Sequence, residues 1–292
     1  MTTGASVPAV SVVLPLFGDH PARHTLPAVA AAWLAQDVRC EVLVATAADT
    51  AVELSRDDRI RVLSGGPPAP GTLRNLAASV ARAAMLYLGD ADIVPVGADF
   101  LRRALALCAN GDALVQPWMY RLVNHAEIGT APAWRDPGPV RACLVTGDRS
   151  GRLTPVPGER FHRIDRSLWA EPPPHLVNPA DSPEMVFRCP FHWGGVLVRK
   201  DQFDRVGGYC TRYVGWGCED DDLFAKLGTV TRLVHAWRAA RTLRCLHFEH
   251  PRSYAGPALD ANRRILDQRL AGGHEAMIAQ DLRASSPSVA GR

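Results

Sequence analysis

Short apolar runs that alternate with helical stretches are the feature that most constrains the fold of this chain. Residues 10–17, 41–45 and 85–88 are such runs. Runs of this length are typical of strands buried on both faces, as in a parallel sheet. Between the first two, apolar side chains recur at three- and four-residue spacing from Leu26 to Trp33, which predicts a helix.

The same patterns predict the remaining elements. Further strands are expected at residues 59–63, 113–116, 193–200 and 242–247, and further helices at 71–84, 97–109, 201–206, 219–227 and 259–270. The alternation predicts an α/β fold, a doubly wound and mainly parallel sheet with helices on both faces, in a single domain. In such sheets ligands bind outside the carboxyl ends of the strands, so we expect site residues directly after strands.

Composition narrows the classes of partner and location. The chain has 292 residues, 47% of them hydrophobic, enough for a sizeable core. Its net charge is +3 with Lys and Arg dispersed, so we expect no nucleic-acid partner. No apolar run approaches the ~20 residues of a membrane span. Seven scattered cysteines without a C-x-x-C pair favour reduced thiols in a cytoplasmic protein, with peripheral membrane association left open.

Two carboxylates follow the predicted strand at residues 85–88. Asp90 and Asp92 are separated only by Ala91. Carboxylates at this spacing can share a divalent cation such as Mn²⁺ or Mg²⁺, together with a diphosphate bound to it. The alternative is a solvated acidic turn. Because the pair lies where the predicted crevice opens, we favour a metal and diphosphate site.

Four consecutive acids, from Glu219 to Asp222, open a predicted helix just after Trp216. The helix dipole favours carboxylates at this end, so capping explains part of the run. Four acids exceed what a cap needs, and their repulsion calls for a compensating cation or ligand. One carboxylate held near an acceptor hydroxyl can act as general base, and Trp216 offers a flat face for a sugar ring.

Two histidines lie at or just beyond the end of the predicted strand at residues 242–247. Imidazole is a suitable third ligand for a manganese-like ion beside carboxylates. We therefore predict that His247 or His250 binds the metal, and the spacing alone does not choose between them.

Three segments of the second half match a known family. Residues 191–196 (Phe-His-Trp-Gly-Gly-Val), 207–209 (Gly-Gly-Tyr) and 215–224 (Gly-Trp-Gly-Cys-Glu-Asp-Asp-Asp-Leu-Phe) resemble the carboxy-terminal signature of the β-1,4-galactosyltransferases. More broadly they resemble bacterial chondroitin-type and family-2 glycosyltransferases and the polypeptide N-acetylgalactosaminyltransferases.

The first half resembles the amino-terminal half of the GT-A fold of these enzymes through residues 10–45, 71–75 and 90–92, so the resemblance omits only residues 120–188. It implies a metal-dependent enzyme that moves a hexose or N-acetylhexosamine from a UDP-sugar to an acceptor hydroxyl.

The resemblance also implies roles for single residues. The donor-binding positions are Pro15, Phe17, Arg74, Asp90, Ala91, Asp92, Gly194, Gly195 and Trp216. The metal ligands are Asp92 with His247, or with His250 in its place. Glu219 and Asp220 match the acidic pair, with Asp220 as the base, and a Glu-Asp pair resembles the inverting members.

On this basis the chain divides into parts. Residues 1–119 are the nucleotide-sugar-binding half and residues 191–283 the acceptor and catalytic half. Residues 120–190, dense in Pro, Gly and Arg, are a variable insert or lid, and residues 284–292 a disordered tail.

Three departures leave parts of the chemistry open. Where relatives hold uracil with an Asp, this chain reads Ala-Thr-Ala-Ala-Asp, ending at Asp49. His192 stands in place of an aromatic residue, which leaves the donor sugar open. The insert is unlike that of the animal galactosyltransferases, which leaves the acceptor open, and the oligomeric state is not specified.

Two other functions compete with a glycosyltransferase. A nucleotidyltransferase would need a Gly-rich loop bearing Arg or Lys after the first strand, and residues 17–21 do not supply one. A catalytically silent sugar-binding protein would be expected to lose the carboxylates, and all are present. We therefore favour the glycosyltransferase.

Overall fold

A computed structural model describes residues 7–48, 50–95, 97–109, 111–122, 141–143, 145–147, 153–155, 162–163, 195–235, 243–248 and 257–285. The helices are α1 (Ala22–Leu34), α2 (Pro70–Ser79), α3 (Phe100–Cys108), α4 (Lys200–Arg205), α5 (Glu219–Leu227), α6 (Pro257–Gly272) and α7 (His274–Ser285). The strands are β1 (Val10–Leu16), β2 (Cys40–Thr46), β3 (Ile60–Ser64), β4 (Met85–Leu88), β5 (Ile93–Pro95), β6 (Ala113–Gln116), β7 (Trp118–Leu122), β8 (Arg141–Cys143), β9 (Val145–Gly147), β10 (Leu153–Pro155), β11 (His162–Arg163), β12 (Val196–Arg199), β13 (Arg232–His235) and β14 (Arg244–Phe248).

The main sheet has seven strands in the order β13-β6-β12-β4-β1-β2-β3. Its strands are parallel to their neighbours except for β12, which runs antiparallel to both β4 and β6. Every residue of β1 and β2 is buried, as their continuous apolar runs predict. The predicted α/β fold with a mainly parallel sheet is confirmed.

Helices cover both faces of this sheet, and each face has its own apolar core. On one face, the rings of Trp33 in α1, Tyr87 in β4 and Phe100 in α3 pack with centroids 4.5, 5.6 and 5.7 Å apart. On the other face, Leu73 of α2 and Leu223 of α5 are fully buried in one cluster. Because α2 and α5 share this face, the polar side chains that they carry can meet.

A second sheet, with strand order β11-β8-β7-β14-β5, is absent from the sequence prediction. Its strand β5 has only three residues and directly follows Asp92. β5 pairs antiparallel with β14, and Ile93 lies opposite His247. The chain between β4 and β5 therefore joins the two sheets and carries the predicted metal-binding carboxylates. The short strands β8 to β11 also lie within residues 120–190, so this insert is not wholly irregular.

Predicted elements are confirmed with small shifts, and β4, β6 and α5 agree at both ends. α2 stops at Ser79, short of residue 84, and the backbone N–H of Arg82 donates instead to the carboxylate of Glu41 at 2.7 Å. α3 begins at Phe100 rather than at 97 because Gly97 has a φ of 83°, which a right-handed helix does not allow.

Helix α7 overlaps the start of the predicted tail. α7 continues to Ser285, so the first two residues of the predicted tail 284–292 belong to a helix. The Ser285 hydroxyl donates to the carbonyl oxygen of Gly207 at 3.5 Å, which ties this end to the body of the protein. Neither α7 nor β13 was indicated by the sequence patterns.

The cysteines behave as small apolar residues. Cys40, Cys108, Cys210, Cys218 and Cys245 are free thiols. Burial raises the pKa of Cys40, Cys108 and Cys210 to about 11, so these thiols stay protonated at neutral pH. Over the same ranges, no helix is long and apolar enough to cross a bilayer.

Candidate active site

Acidic residues from distant parts of the chain meet around one buried arginine. Arg74 lies in α2 and is 2% exposed. Its Nη2 contacts Asp90, which follows β4, and its Nη1 lies 3.3 Å from Oδ1 of Asp220 at the start of α5. Nη1 is also 3.8 Å from Oε1 of Glu219. The carboxylates predicted from separate motifs therefore form one site.

Arg74 is held in a fixed orientation. Its Nε lies 3.5 Å from the carbonyl oxygen of Gly89, and its guanidinium carbon lies 5.3 Å from the ring centroid of Tyr209. A planar guanidinium has donors on several edges, so it can bind several carboxylates at once in fixed directions. Arg74 thus links the turn that carries Asp90 to α5. This structural role is separate from the donor contact that the resemblance predicts.

The Asp220 carboxylate is hydrogen-bonded inside the protein and also partly exposed to solvent. Oδ1 accepts hydrogen bonds from Arg74 Nη1 at 3.3 Å and from the Tyr209 hydroxyl at 2.9 Å. Burial raises the pKa of Tyr209 well above its usual value, so its phenol keeps the proton that it donates. The Asp220 side chain is 19% exposed, so one carboxylate carries two internal hydrogen bonds and still reaches solvent.

Glu219 is buried beside Asp220. Its Oε2 accepts the backbone N–H of Gly217 at 2.8 Å. Burial, followed by the charge of Asp220, raises the pKa of Glu219 to about 8, although Arg74 acts in the opposite direction. Near pH 7 the pair therefore carries a proton on Glu219.

The other two acids of the run diverge. Asp221 is exposed to solvent. Asp222 is fully buried and contacts Arg269 of α6 and Lys226 of α5. The compensating cations that the acidic run calls for are thus side chains of the protein.

The predicted metal ligands Asp92 and His247 lie next to each other. Nε2 of His247 is 3.5 Å from Oδ2 of Asp92, and the residues are 6% and 4% exposed. The turn before Asp92 is fixed by Thr25 of α1, whose hydroxyl donates to the carbonyl oxygen of Ala91 at 3.2 Å. A carboxylate oxygen and an imidazole nitrogen suit Mn²⁺ or Mg²⁺, so this pair fits part of a metal site.

The metal site is not complete within the described ranges, which hold no group of three or more His, Cys, Asp or Glu placed to bind an ion. Asp90 contacts Arg74. His250, the competing ligand, lies outside the described residues.

The remaining predicted donor residues vary in placement. Pro15 is buried in β1, Phe17 is half-buried at its end, and Gly195 is buried directly before β12. Trp216 is 40% exposed, as expected of a side chain available to a ligand. Three positions of the sequence argument lie outside the described residues: Asp49, His192 and Gly194.

Sequence reasoning missed several side chains that hold the site. Tyr209 belongs to the matched Gly-Gly-Tyr segment, but nothing in that segment indicates a bond to Asp220. Arg269 and Asn262 lie in a helix whose pattern gives no sign of which polar residues face inward. Their inward contacts are visible only in the structure, where Arg269 bonds to Asp222 of α5 and Asn262 bonds to Gly217 in the loop before α5.

Comparison with known proteins agrees with this architecture. Residues 174–251 match the family model described as the N-terminal domain of galactosyltransferase. No curated protein matches the chain significantly.

Among solved structures, S. aureus TarS (residues 1–349) in complex with UDP-GlcNAc is 12% identical with a TM-score of 0.52, covering 94% of this chain and 71% of that one. The catalytic domain of Drosophila β1,4-galactosyltransferase 7 with xylobiose is 13% identical with a TM-score of 0.48, covering 89% and 79%. The mannosyltransferase PcManGT from Pyrobaculum calidifontis with GDP-Man and Mn²⁺ is 15% identical with a TM-score of 0.49, covering 99% and 77%. The S. aureus match supports the GT-A fold.

Proposed function

We propose that this chain, a glycosyltransferase with the GT-A fold and a β1,4-galactosyltransferase-type segment, is a metal-dependent inverting enzyme. It moves a hexose or N-acetylhexosamine from a UDP-sugar to an acceptor hydroxyl. The observation that carries the proposal is the meeting of Asp90, Asp220 and Glu219 around Arg74. One arginine thereby joins the turn assigned to the donor to the helix assigned to the acceptor.

The donor diphosphate is assigned to the turn between β4 and β5. Asp92 and His247 would hold Mn²⁺ or Mg²⁺ there, and the ion would neutralise charge on the leaving diphosphate. The resemblance assigns Pro15, Phe17 and Gly195 to the donor side. The S. aureus structure of the same fold holds UDP-GlcNAc, which supports a UDP-sugar.

Asp220 is assigned as the base. The acceptor hydroxyl gives its proton to the Asp220 carboxylate, and its oxygen forms the new bond to the anomeric carbon. The bond from that carbon to the diphosphate oxygen breaks, and its electron pair leaves with UDP. Attack on the face opposite the leaving group inverts the anomeric configuration.

Two hydrogen bonds prepare Asp220 for this task. Because Tyr209 and Arg74 both bond to Oδ1, the carboxylate plane is fixed before the acceptor arrives. Glu219 carries a proton near pH 7, which reduces charge repulsion within the acidic pair. Trp216 would cover a sugar ring beside this pair.

The division of labour along the chain follows from these roles. Residues 1–119 would bind the nucleotide sugar and residues 191–283 would bind the acceptor and supply the base. Residues 120–190 would form the variable insert or lid. The partners are a nucleotide-sugar donor and a hydroxyl acceptor.

A donor screen tests the proposal. UDP-sugars, with GDP-mannose as comparison, are incubated with the protein and Mn²⁺, and release of the nucleoside diphosphate is measured. We expect slow hydrolysis of one UDP-sugar, and transfer when a panel of p-nitrophenyl glycosides is added as acceptors. Asp220→Asn should abolish transfer while calorimetry with UDP and Mn²⁺ shows unchanged donor binding. UDP binding without release by the wild type would indicate a silent sugar-binding protein, and near-normal transfer by Asp220→Asn would show that the base is another residue.

A further inference from the structure

No single residue of the helical hairpin of α6 and α7 has been assigned to a step of the proposed reaction, and the hairpin lies beyond the galactosyltransferase-type segment, which ends at residue 251. The hairpin is anchored to the site through charge. Arg269 of α6 contacts Asp222 of α5, and Lys226 contacts Asp281 of α7, all of them buried. One face of α6 is therefore fixed against the helix that carries Asp220.

A second inward-facing residue of α6, Asn262, is 1% exposed, and its carboxamide forms hydrogen bonds with main-chain atoms. Its Oδ1 accepts the N–H of Val214 at 3.3 Å. Its Nδ2 donates to the carbonyl oxygens of Val214 and Gly217, both at 3.0 Å, and lies 3.4 Å from that of Trp216. Both ends of one carboxamide are thus used on a single loop, residues 213–218, which we call the tryptophan loop.

The tip of the tryptophan loop consists of two glycines and two exposed side chains. Gly215 and Gly217 have φ values of 66° and 107°, and glycines lose more backbone entropy on ordering than other residues. Val214 is 68% exposed, so its burial contributes little, and Trp216 is 40% exposed. A Cβ on Gly217 would lie 2.6 Å from Leu259 Cδ1, so α6 presses directly on the loop.

The same loop reaches the reacting groups. The carbonyl of Gly217 accepts from Asn262, and the N–H of Gly217 donates to Glu219 Oε2 at 2.8 Å. Glu219 adjoins Asp220 in the first turn of α5. A side chain in α6 is therefore connected through one backbone segment to Trp216 on one side and to the acidic pair on the other.

We propose that Asn262 is a positioning residue for acceptor transfer, holding the tryptophan loop so that Trp216 and the acidic pair keep a fixed relative placement. The catalytic part of this inference rests on the function proposed above. The structural part does not, because ordering of the loop can be measured without any substrate.

The test compares Asn262→Ala with Gln268→Ala, which removes an exposed carboxamide from the same helix. Hydrogen exchange is followed by mass spectrometry on peptides covering residues 213–219. We expect exchange in Asn262→Ala to be about tenfold faster or more in these peptides, with β1 and β2 unchanged, because three hydrogen bonds are lost. Gln268→Ala should match the wild type. Should Asn262→Ala not fold, Asn262→Asp serves instead, since it keeps the volume but turns an oxygen toward the two carbonyls.

Kinetics separates positioning from a general structural effect. With Mn²⁺ and the UDP-sugar found to be hydrolysed, Asn262→Ala should retain hydrolysis within about threefold, while transfer to the p-nitrophenyl glycoside probe falls at least about tenfold in kcat/KM. Unchanged exchange at residues 213–219 overturns the proposal, as does an equal loss of hydrolysis and transfer. If no probe accepts a sugar, the exchange result decides alone, and failure of the proposed function leaves it intact.

Discussion

Nη1 of Arg74 lies 3.3 Å from Oδ1 of Asp220, although 146 positions separate the two residues in the chain. The other guanidinium edge contacts Asp90. Arg74 is 2% exposed, so water does little to screen its charge, and water could not take over its hydrogen bonds to the carboxylates. The turn after β4 and the start of α5 consequently depend on one side chain for their electrostatic balance.

Replacing Arg74 should therefore affect stability and activity together. Arg74→Met leaves Asp90, Glu219 and Asp220 without their cation and should lower the free energy of unfolding by about 3–5 kcal/mol. UDP release should be lost as well. Urea unfolding measures the loss of stability. The control is Arg102→Met, because the Arg102 side chain is 62% exposed. Equal urea midpoints for the two variants would show that the buried arginine is not needed to balance the carboxylates.

Stability should depend on pH through Glu219. Its pKa is raised from 4.5 to about 8 in the folded protein, so between these values the folded state keeps a proton that the unfolded chain releases. The stabilisation is complete below pH 4.5 and is lost as pH rises through 8. Glu219→Gln lacks this titration. The variant should therefore gain stability relative to wild type between pH 5 and pH 9 in urea unfolding, and parallel pH curves would contradict the assigned shift.

The buried pair of Asp222 and Arg269 should behave as a coupled unit. Arg269→Met or Asp222→Asn each leaves buried charge unbalanced and should cost about 3–5 kcal/mol. The double variant should cost less than the sum of the two, with a coupling energy of about 0.5–3 kcal/mol. A double-mutant cycle from urea unfolding measures this term. Strict additivity would mean that the two charges do not depend on each other.

The sequence predicts this fold well where a pattern is local. The continuous apolar run at β4 and the start of α5 gave correct boundaries, because burial and helix-dipole preferences are written into neighbouring residues. The contacts of Asn262 and Arg269 were missed because their partners lie 48 and 47 positions away. No periodicity in α6 distinguishes a polar side chain that faces a loop from one that faces water.

The second sheet shows the same limit. β5 has three residues, too few for an alternation pattern to be recognised. Its pairing with β14 nevertheless places His247 beside Asp92. The sequence could name both residues as metal ligands from their position after strands, but it could not show that a second sheet brings them together.

The residue before α5 offers a test of backbone strain. Cys218 is the one non-glycine residue with positive φ in the described ranges, at 72°. This conformation costs an L-residue about 1–2 kcal/mol, and glycine avoids most of that cost. Cys218→Gly should raise the free energy of unfolding by up to about 1 kcal/mol, whereas Cys218→Val should lower it. Thermal unfolding in calorimetry ranks the three proteins, and a valine variant as stable as the glycine variant would show that the strain is absent.

Metal dependence is the last expectation and concerns Asp92 and His247, whose facing atoms are 3.5 Å apart. Treatment with EDTA should abolish UDP release, and Mn²⁺ should restore it. His247→Ala removes one ligand and should raise the Mn²⁺ concentration for half-maximal activity by at least ~tenfold, since the remaining ligands bind more weakly. His274→Ala, which alters an exposed histidine at the start of α7, is the matched control. Direct titration of Mn²⁺ in the presence of UDP measures the affinity apart from turnover. If both variants bind the ion equally, His247 is not a metal ligand, and His250 becomes the candidate for the histidine ligand.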